Sequence, residues 1–348
     1  MTTPASVSAP AVRHALGLLA AGHGLSEEEA ALAFGEIMAG AVGPASLGAL
    51  LLALRTRGES AAEIAGAVRA LREAMRRVDH PTPEALVDTC GTGGGKVTTL
   101  NLSTAAAFVA AGAGVPVAKH GNRSFTSRSG SADVLEALGV GIDLTPERAA
   151  EVLASTGIVF LYAPSYHPAM RHVAPVRREL GVPTVMNLVG PLANPALAGR
   201  QVVGVADIDR APRMAGALAR LGSIHALVVH ADIGMDEIAP MGETSVWEVR
   251  GGAVTEWRLD PARFGLAAPT LEGLAGGSPE ENAGVIRGML EGGRAAAAVE
   301  SAVVLNAAAA IYVSGMVTTL EAAVDAARSA LREGRGAERL AALQAATR

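Results

Sequence analysis

Four short segments concentrate the side chains that could do chemistry. The first is Cys90-Gly-Thr-Gly-Gly-Gly-Lys96, directly after the apolar run ALVDTC. Successive glycines at a strand end present backbone N–H groups that can cradle phosphate oxygens. The segment fits neither G-x-x-x-x-G-K-[ST] nor G-x-G-x-x-G, so neither standard nucleotide-binding pattern applies. Its sequel favours an anion: Thr99, Asn101, Ser103 and Thr104 bring hydroxyls and an amide to the start of an apolar helix. A helix N-terminus attracts negative charge. Ser103 or Thr104 is also an ordinary N-cap there.

The second segment runs from Lys119 to Asp133 and carries three cations with a series of Ser and Thr hydroxyls. It follows the apolar strand VPVAKH, and loops at the carboxyl ends of parallel strands are where open α/β sheets bind ligands. Lys119, Arg123, Ser127 and Ser131 together could hold a phosphate and a pyrophosphate. The third segment, Tyr166 to Arg177, holds His167 and an arginine ten residues later; a guanidinium matches a planar carboxylate. In the fourth, Asp236-Glu237 follows the strand HALVVHA. Adjacent carboxylates there suit a hard divalent ion such as Mg²⁺. Each segment also has a plain structural account: a tight turn, a solvated loop, a surface arginine, a solvated acidic pair.

The elements that must position these residues come in two kinds. The first eighty residues read as helices: Ala11–Ala20 after Pro10, a helix opened by the Ser26–Glu29 capping box, one from Pro44 to before Gly58, and one opened by Ser60–Glu63. From Ala85, short apolar runs alternate with helical stretches such as Ser103–Gly112, Pro146–Ala154 and Pro212–Leu221. That alternation predicts a largely parallel sheet with helices on both faces. A hairpin turning at Gly251-Gly252 and further helices, one opened by Ser278 and Glu281, complete the chain. The expected organisation is α/β: a small all-α domain over 1–80, joined by helices from about 168–200, packed on a large α/β domain over 81–348 with a mostly parallel central sheet.

Composition narrows the function classes. Half of the 348 residues are hydrophobic but only 3% are aromatic, so the core must be built from Ala, Val, Leu and Ile. The single cysteine, Cys90, excludes a disulfide framework and a multi-cysteine metal site. A net charge of −5 without a basic block disfavours nucleic acid or an anionic membrane as partner. The N-terminus has no signal-peptide pattern, and the uncharged run Val97–Ala118 is broken by polar residues, glycines and a proline. It reads as a buried interior segment of a cytoplasmic protein.

In order along the chain, the CGTGG loop, NLSTAAAFVAAGAGVPVAKHGNRS, SGSADVLEALGV, YAPSYHPAMRHVAPVRRELG, NLVGPLANP and the MDE turn resemble the anthranilate phosphoribosyltransferase family of tryptophan biosynthesis. The resemblance covers nearly the whole chain. It implies Mg²⁺-dependent transfer of phosphoribose from phosphoribosyl pyrophosphate to the amine of anthranilate, and commonly a homodimer formed through the helical domain. It assigns Gly91, Gly94, Thr99, Asn101, Ser103, Thr104, Lys119, Asn122, Arg123 and Ser131 to phosphoribosyl pyrophosphate, a site to which the reading of the two loops adds Gly95 and Ser127. Gly91, Asn122, His167 and Arg177 fall to anthranilate, and Ser103, Asp236 and Glu237 to the metal. No residue stands out as a general base; transition-state electrostatics would come from Lys119 and the metal. The chain departs from the family at Gly95-Lys96, where an acidic residue usually follows the glycines. Alternative readings are a pyrimidine-nucleoside phosphorylase or a non-catalytic relative that binds nucleic acid or a phosphoribosyl ligand.

Overall fold

A computed structural model of the protein describes residues 9–95, 97, 99–124, 128–292 and 295–348. Four helices come first: α1 (Pro10–Ala20), α2 (Glu27–Met38), α3 (Pro44–Arg57) and α4 (Ala61–Ala74). Then strands and helices alternate as β1 (Val87–Gly91), α5 (Leu102–Gly112), β2 (Val117–Gly121), α6 (Ser131–Ala137), α7 (Pro146–Thr156) and β3 (Ile158–Tyr162). Short helices α8 (Ala163–Tyr166), α9 (Ala174–Leu180) and α10 (Val185–Val189) lead to β4 (Arg200–Gly204), α11 (Ala211–Arg220) and β5 (His225–Ala231). The hairpin β6 (Thr244–Arg250) and β7 (Ala253–Leu259) precedes α12 (Pro279–Leu290), α13 (Ala297–Ser314), α14 (Leu320–Arg332) and α15 (Arg335–Ala346).

Local chemistry accounts for most boundaries. Ser26–Glu29, Ser60–Glu63 and Ser278–Glu281 all close reciprocal capping boxes, each worth about 0.5–2 kcal/mol of helix stability. Glu63 does more than cap: Oε1 also accepts from Leu25 N at 2.8 Å, and the carboxylate pairs with Arg57, so one buried side chain ties α4 to the α1–α2 loop and the end of α3. Gly251 and Gly252 have φ of +57° and +80°, as the primed turn of a two-residue hairpin requires. Prolines 168, 175, 183 and 191 divide the stretch after β3 into short pieces.

The sheet order is β3-β2-β1-β4-β5-β6-β7, with β1 to β5 parallel and the β6–β7 hairpin antiparallel at one edge. Alternation along β5 sends Leu227 and Val229 into a core shared with α5 and α13, while Ala226 and Val228 meet α11 and the N-terminal helices. That second core runs without interruption from the helical lobe through Val173, Val176, Val185 and Leu188 to the sheet. The segment after β3 thus closes the helical lobe. α13 is long and apolar enough to cross a membrane, yet 72% of it is buried inside the protein. α5, inside the uncharged run, is likewise buried along almost its whole length.

Candidate active site

Strand order reverses between β1 and β4: β2 and β3 extend the sheet one way from β1, β5 the other. A crevice outside the carboxyl ends of the strands at such a reversal is the usual ligand site of an open α/β sheet. Here Gly91 of β1 lies directly opposite Gly204 of β4, and the pair leaves a slot that Asp236 fills. A Cβ on Gly204 would stand 1.5 Å from the Asp236 carbonyl oxygen, and one on Gly91 or Gly95 would stand 3.1 Å from its carboxylate. Gly204 therefore belongs to the site. A glycine inside a strand pattern is the signal that points to it.

The glycine loop is shaped around this carboxylate. Gly93 and Gly94 have φ of +67° and +81°, and Gly93 N–H donates to Asp236 Oδ2 at 2.9 Å. One of the loop's N–H groups thus already meets an anion within the protein. Glu237 lies at the start of α5: Oε2 accepts from Thr99 Oγ1 at 2.8 Å and Oε1 from Ser103 N at 3.2 Å. Neither Ser103 nor Thr104 is the N-cap. Asn101 is, and α5 begins at Leu102. Asn101 does not cap with its side chain, because that amide is already engaged. Its Oδ1 accepts from Ser129 Oγ at 3.1 Å and Asn282 Nδ2 at 3.0 Å, and its Nδ2 donates to Ser129 O at 3.1 Å. The Glu237 carboxylate takes over the capping.

Burial pushes both acids up, Glu237 to about 8, with the neighbouring Asp236 charge as the second cause. Lys119 crosses beneath β1: Nζ donates to Thr89 O and to Ser103 Oγ, the latter at 3.2 Å. Its pKa is lowered, chiefly by burial. Thr104 is buried beside Lys119 with no hydrogen-bond partner for its hydroxyl. The result is a cluster of hard oxygen donors (Asp236, Glu237, Ser103) with one ammonium. Two adjacent acids that burial keeps from ionising freely fit a divalent cation, and hydroxyl and carboxylate donors suit Mg²⁺ when substrate phosphates and water complete its shell. Among the described residues no group of three or more His, Cys, Asp or Glu gathers as a ligand set.

A second cluster follows β2. Ser131 Oγ donates to Asn122 O at 3.2 Å, and a Cβ on Gly121 would stand 2.2 Å from that hydroxyl oxygen. Arg123 does not point free into the crevice as its sequence position suggests. It is exposed, pairs with Asp133 at 2.9 Å and Glu136 at 2.6 Å, and lies 5.7 Å from the Tyr162 ring centroid. Ser127 and Lys96 lie outside the described residues.

Alternation along β2 turns His120 away from Lys119, towards His167. The two rings are 5.0 Å apart, both are buried, and His120 Nε2 and both His167 ring nitrogens have no hydrogen-bond partner. Burial holds both neutral, His167 at about 4 and His120 well below its usual range. His120 was within reach of sequence reasoning, as the only titratable neighbour of Lys119 on that strand, but nothing in its type or spacing singled it out. Arg177, on α9, is half-buried, lowered by that burial, and makes no hydrogen bond or ion pair with any described residue. The structure joins it to neither cluster by a direct bond. Asp88 is a further residue that spacing does not reveal: fully buried, it accepts from His120 N at 3.0 Å and holds the end of β2 to β1. Cys90 is a partly buried strand end whose thiol burial pushes well up, with no features of a nucleophile.

Residues 83–337 match the family described as glycosyl transferase family, a/b domain, and residues 13–75 match its helical bundle domain. Anthranilate phosphoribosyltransferase of Rubrobacter xylanophilus is 52% identical over 93% of this chain and 94% of its own length. That of Methanosarcina acetivorans is 49% identical over 90% and 84%. The crystal structure of the Thermus thermophilus enzyme superposes with a TM-score of 0.90 at 46% identity, covering 97% of this chain and 99% of that one. The Saccharomyces cerevisiae enzyme in complex with PRPP and Mg gives 0.88 at 27% identity, covering 99% of both.

Proposed function

The chain belongs to the anthranilate phosphoribosyltransferase family and transfers the phosphoribosyl group of 5-phosphoribosyl 1-pyrophosphate to the amine of anthranilate, and from that premise we propose how its residues perform this step of tryptophan biosynthesis. The observation that carries the reading is the convergence of the glycine loop, Lys119, the α5 N-terminus and the Asp236–Glu237 pair at the strand-order reversal.

Pyrophosphate leaves C1 of the ribose as the amine nitrogen of anthranilate bonds to it. The leaving group gains negative charge and C1 becomes cationic, so fixed electrostatics and positioning supply most of the catalysis. The glycine loop N–H groups from Gly91 to Gly95, the Thr99 and Ser103 hydroxyls, Lys119, Asn122, Arg123 and Ser131 bind the phosphates. Asn101 acts mainly as a brace, since its amide is bonded to Ser129 and Asn282. Asp236, Glu237 and Ser103 hold Mg²⁺, which when bound neutralises the departing pyrophosphate. Arg177 takes the anthranilate carboxylate, and neutral His167, with Asn122 and Gly91, lines the aromatic ring's site. The aryl amine becomes strongly acidic once its new C–N bond forms, so its proton leaves without a strong base.

The enzyme works as a cytoplasmic homodimer joined through its helical lobe, where Leu32 of α2 and Leu52 of α3 are exposed; light scattering in solution checks the mass. Loss of anthranilate fluorescence on mixing protein, phosphoribosyl pyrophosphate and Mg²⁺ tests the reaction. A constant signal at high enzyme concentration would falsify it.

A further inference from the structure

α13 is the central helix of the core, and among the described residues its one buried polar side chain is Asn306. Ala, Val, Leu and Ile surround it on the same helix. Asn306 Oδ1 accepts from Ile238 N at 3.1 Å, and Nδ2 donates to Ile238 O at 2.9 Å and to Ala302 O at 2.9 Å. The amide therefore grips both polar groups of the residue immediately after Glu237, while the bond one turn back on its own helix fixes the amide plane. Asn306 also lines the narrow cavity beneath the site together with Thr89, Ser103, Asp236 and Glu237. On the other side of Ile238, Ala239 N donates to Thr244 Oγ1 at 3.3 Å.

An unsatisfied amide in this setting would be costly, and packing alone would be served by an alkyl side chain. What the amide adds is the orientation of the 236–238 backbone. That backbone decides whether Asp236 meets Gly93 and whether Glu237 meets Thr99 and Ser103. Losing a partner behind a first ligand typically costs about 10- to 100-fold in metal affinity or activity. We propose that Asn306 is a positioning residue that aims the Asp236–Glu237 carboxylates at the divalent cation and pyrophosphate. This rests on the reading above that those two acids hold the cation.

The test compares Asn306→Leu, Asn306→Asp and Asp236→Asn with the wild-type protein. Asn306→Leu removes all three bonds at similar volume. Asn306→Asp keeps the acceptor for Ile238 N–H, loses both donors, and carries the test where the leucine variant does not fold. Calorimetry measures phosphoribosyl pyrophosphate binding with and without Mg²⁺, and kinetics gives KM for both substrates. Expected is a loss of about 10- to 100-fold in the Mg²⁺-dependent part of binding, with metal-free binding and the anthranilate KM unchanged. If Asp236→Asn shows that loss and the Asn306 variants show only lower thermal stability, the role of Asn306 is overturned and the carboxylate reading stands. If Asp236→Asn leaves Mg²⁺ dependence intact, the carboxylate reading falls and the proposal with it.

Discussion

The two sides of the crevice manage buried polarity in opposite ways. On the side proposed for pyrophosphate nearly every polar group has a protein partner before any ligand arrives. Asp236 meets Gly93, Glu237 meets Thr99 and Ser103, and Lys119 meets Thr89 and Ser103. On the side proposed for anthranilate, three buried ring nitrogens of His120 and His167 make no close hydrogen bond, and the Arg177 guanidinium pairs with no described residue. A buried polar group without a partner costs stability unless something meets it. The first side is preorganised for a multiply charged ligand that must be held in one geometry. The second, in the proposed assignment, offers open polar groups to a small aromatic acid. Their titration differs as well: burial raises the acids and lowers the histidines.

The largest expected effect breaks the first side. Glu237→Gln or Asp236→Asn should cut kcat/KM by about 10²–10³, the usual consequence of removing one group that stabilises developing charge; a loss below tenfold would count against the cation site. Next, Arg177→Ala should raise the anthranilate KM by roughly 10- to 100-fold, as for a lost charged hydrogen bond of about 1.5–3 kcal/mol. The KM for phosphoribosyl pyrophosphate should barely move. Equal changes in both would mean that Arg177 shapes the fold and not the acceptor site.

pH sharpens the contrast without touching activity. Burial and the neighbouring Asp236 charge push Glu237 up to about 8 in the folded protein against 4.5 ordinarily. The native state holds the extra proton between those values, so metal-free stability falls as pH rises across that window. His167 titrates near 4 against 6.5. There the unfolded chain holds the extra proton, and stability falls as pH drops from 6.5 towards 4. Thermal melting without metal should show each slope, flattened at high pH by Glu237→Gln and at low pH by His167→Gln. Two unaltered slopes would refute the assignment of these shifts to burial. The smallest effect concerns Arg123. Freeing it from its exposed partner by Glu136→Gln should lower the phosphoribosyl pyrophosphate KM by no more than about threefold, the scale of surface pairs. A rise instead would show that the pair holds Arg123 in its binding pose.

Much of the scaffold was legible because it depends on local chemistry. The capping boxes at Ser26, Ser60 and Ser278, the five parallel strands and the Gly251-Gly252 turn all lie where hydrophobic period and turn residues put them. The candidate site was legible as segments: residue type marks the glycine loop and Lys119, and the family resemblance adds weight to His167, Arg177 and the acidic pair. Their partners were not. Gly204, Asp88, His120, Asn282 and Asn306 are common residue types inside regular elements, and only the contacts they make distinguish them. The cap of α5 is a similar case: Ser103 and Thr104 suit an N-cap by type, but Asn101 holds that position with its amide spent on Ser129 and Asn282, and a carboxylate distant in sequence does the capping.

The sequence by itself determined the elements, the sheet's mostly parallel character, the class of ligand and the residues that would bear charge, because side-chain type and period act over a few residues. Only the tertiary structure decided which of those groups are already partnered and which stand open. It set Gly91 opposite Gly204, drove Asp236 into the slot between them, tied Arg123 to Glu136 and brought His120 to His167. Those outcomes depend on which strands become neighbours and how far burial removes water, and neither quantity is encoded in any short stretch of chain.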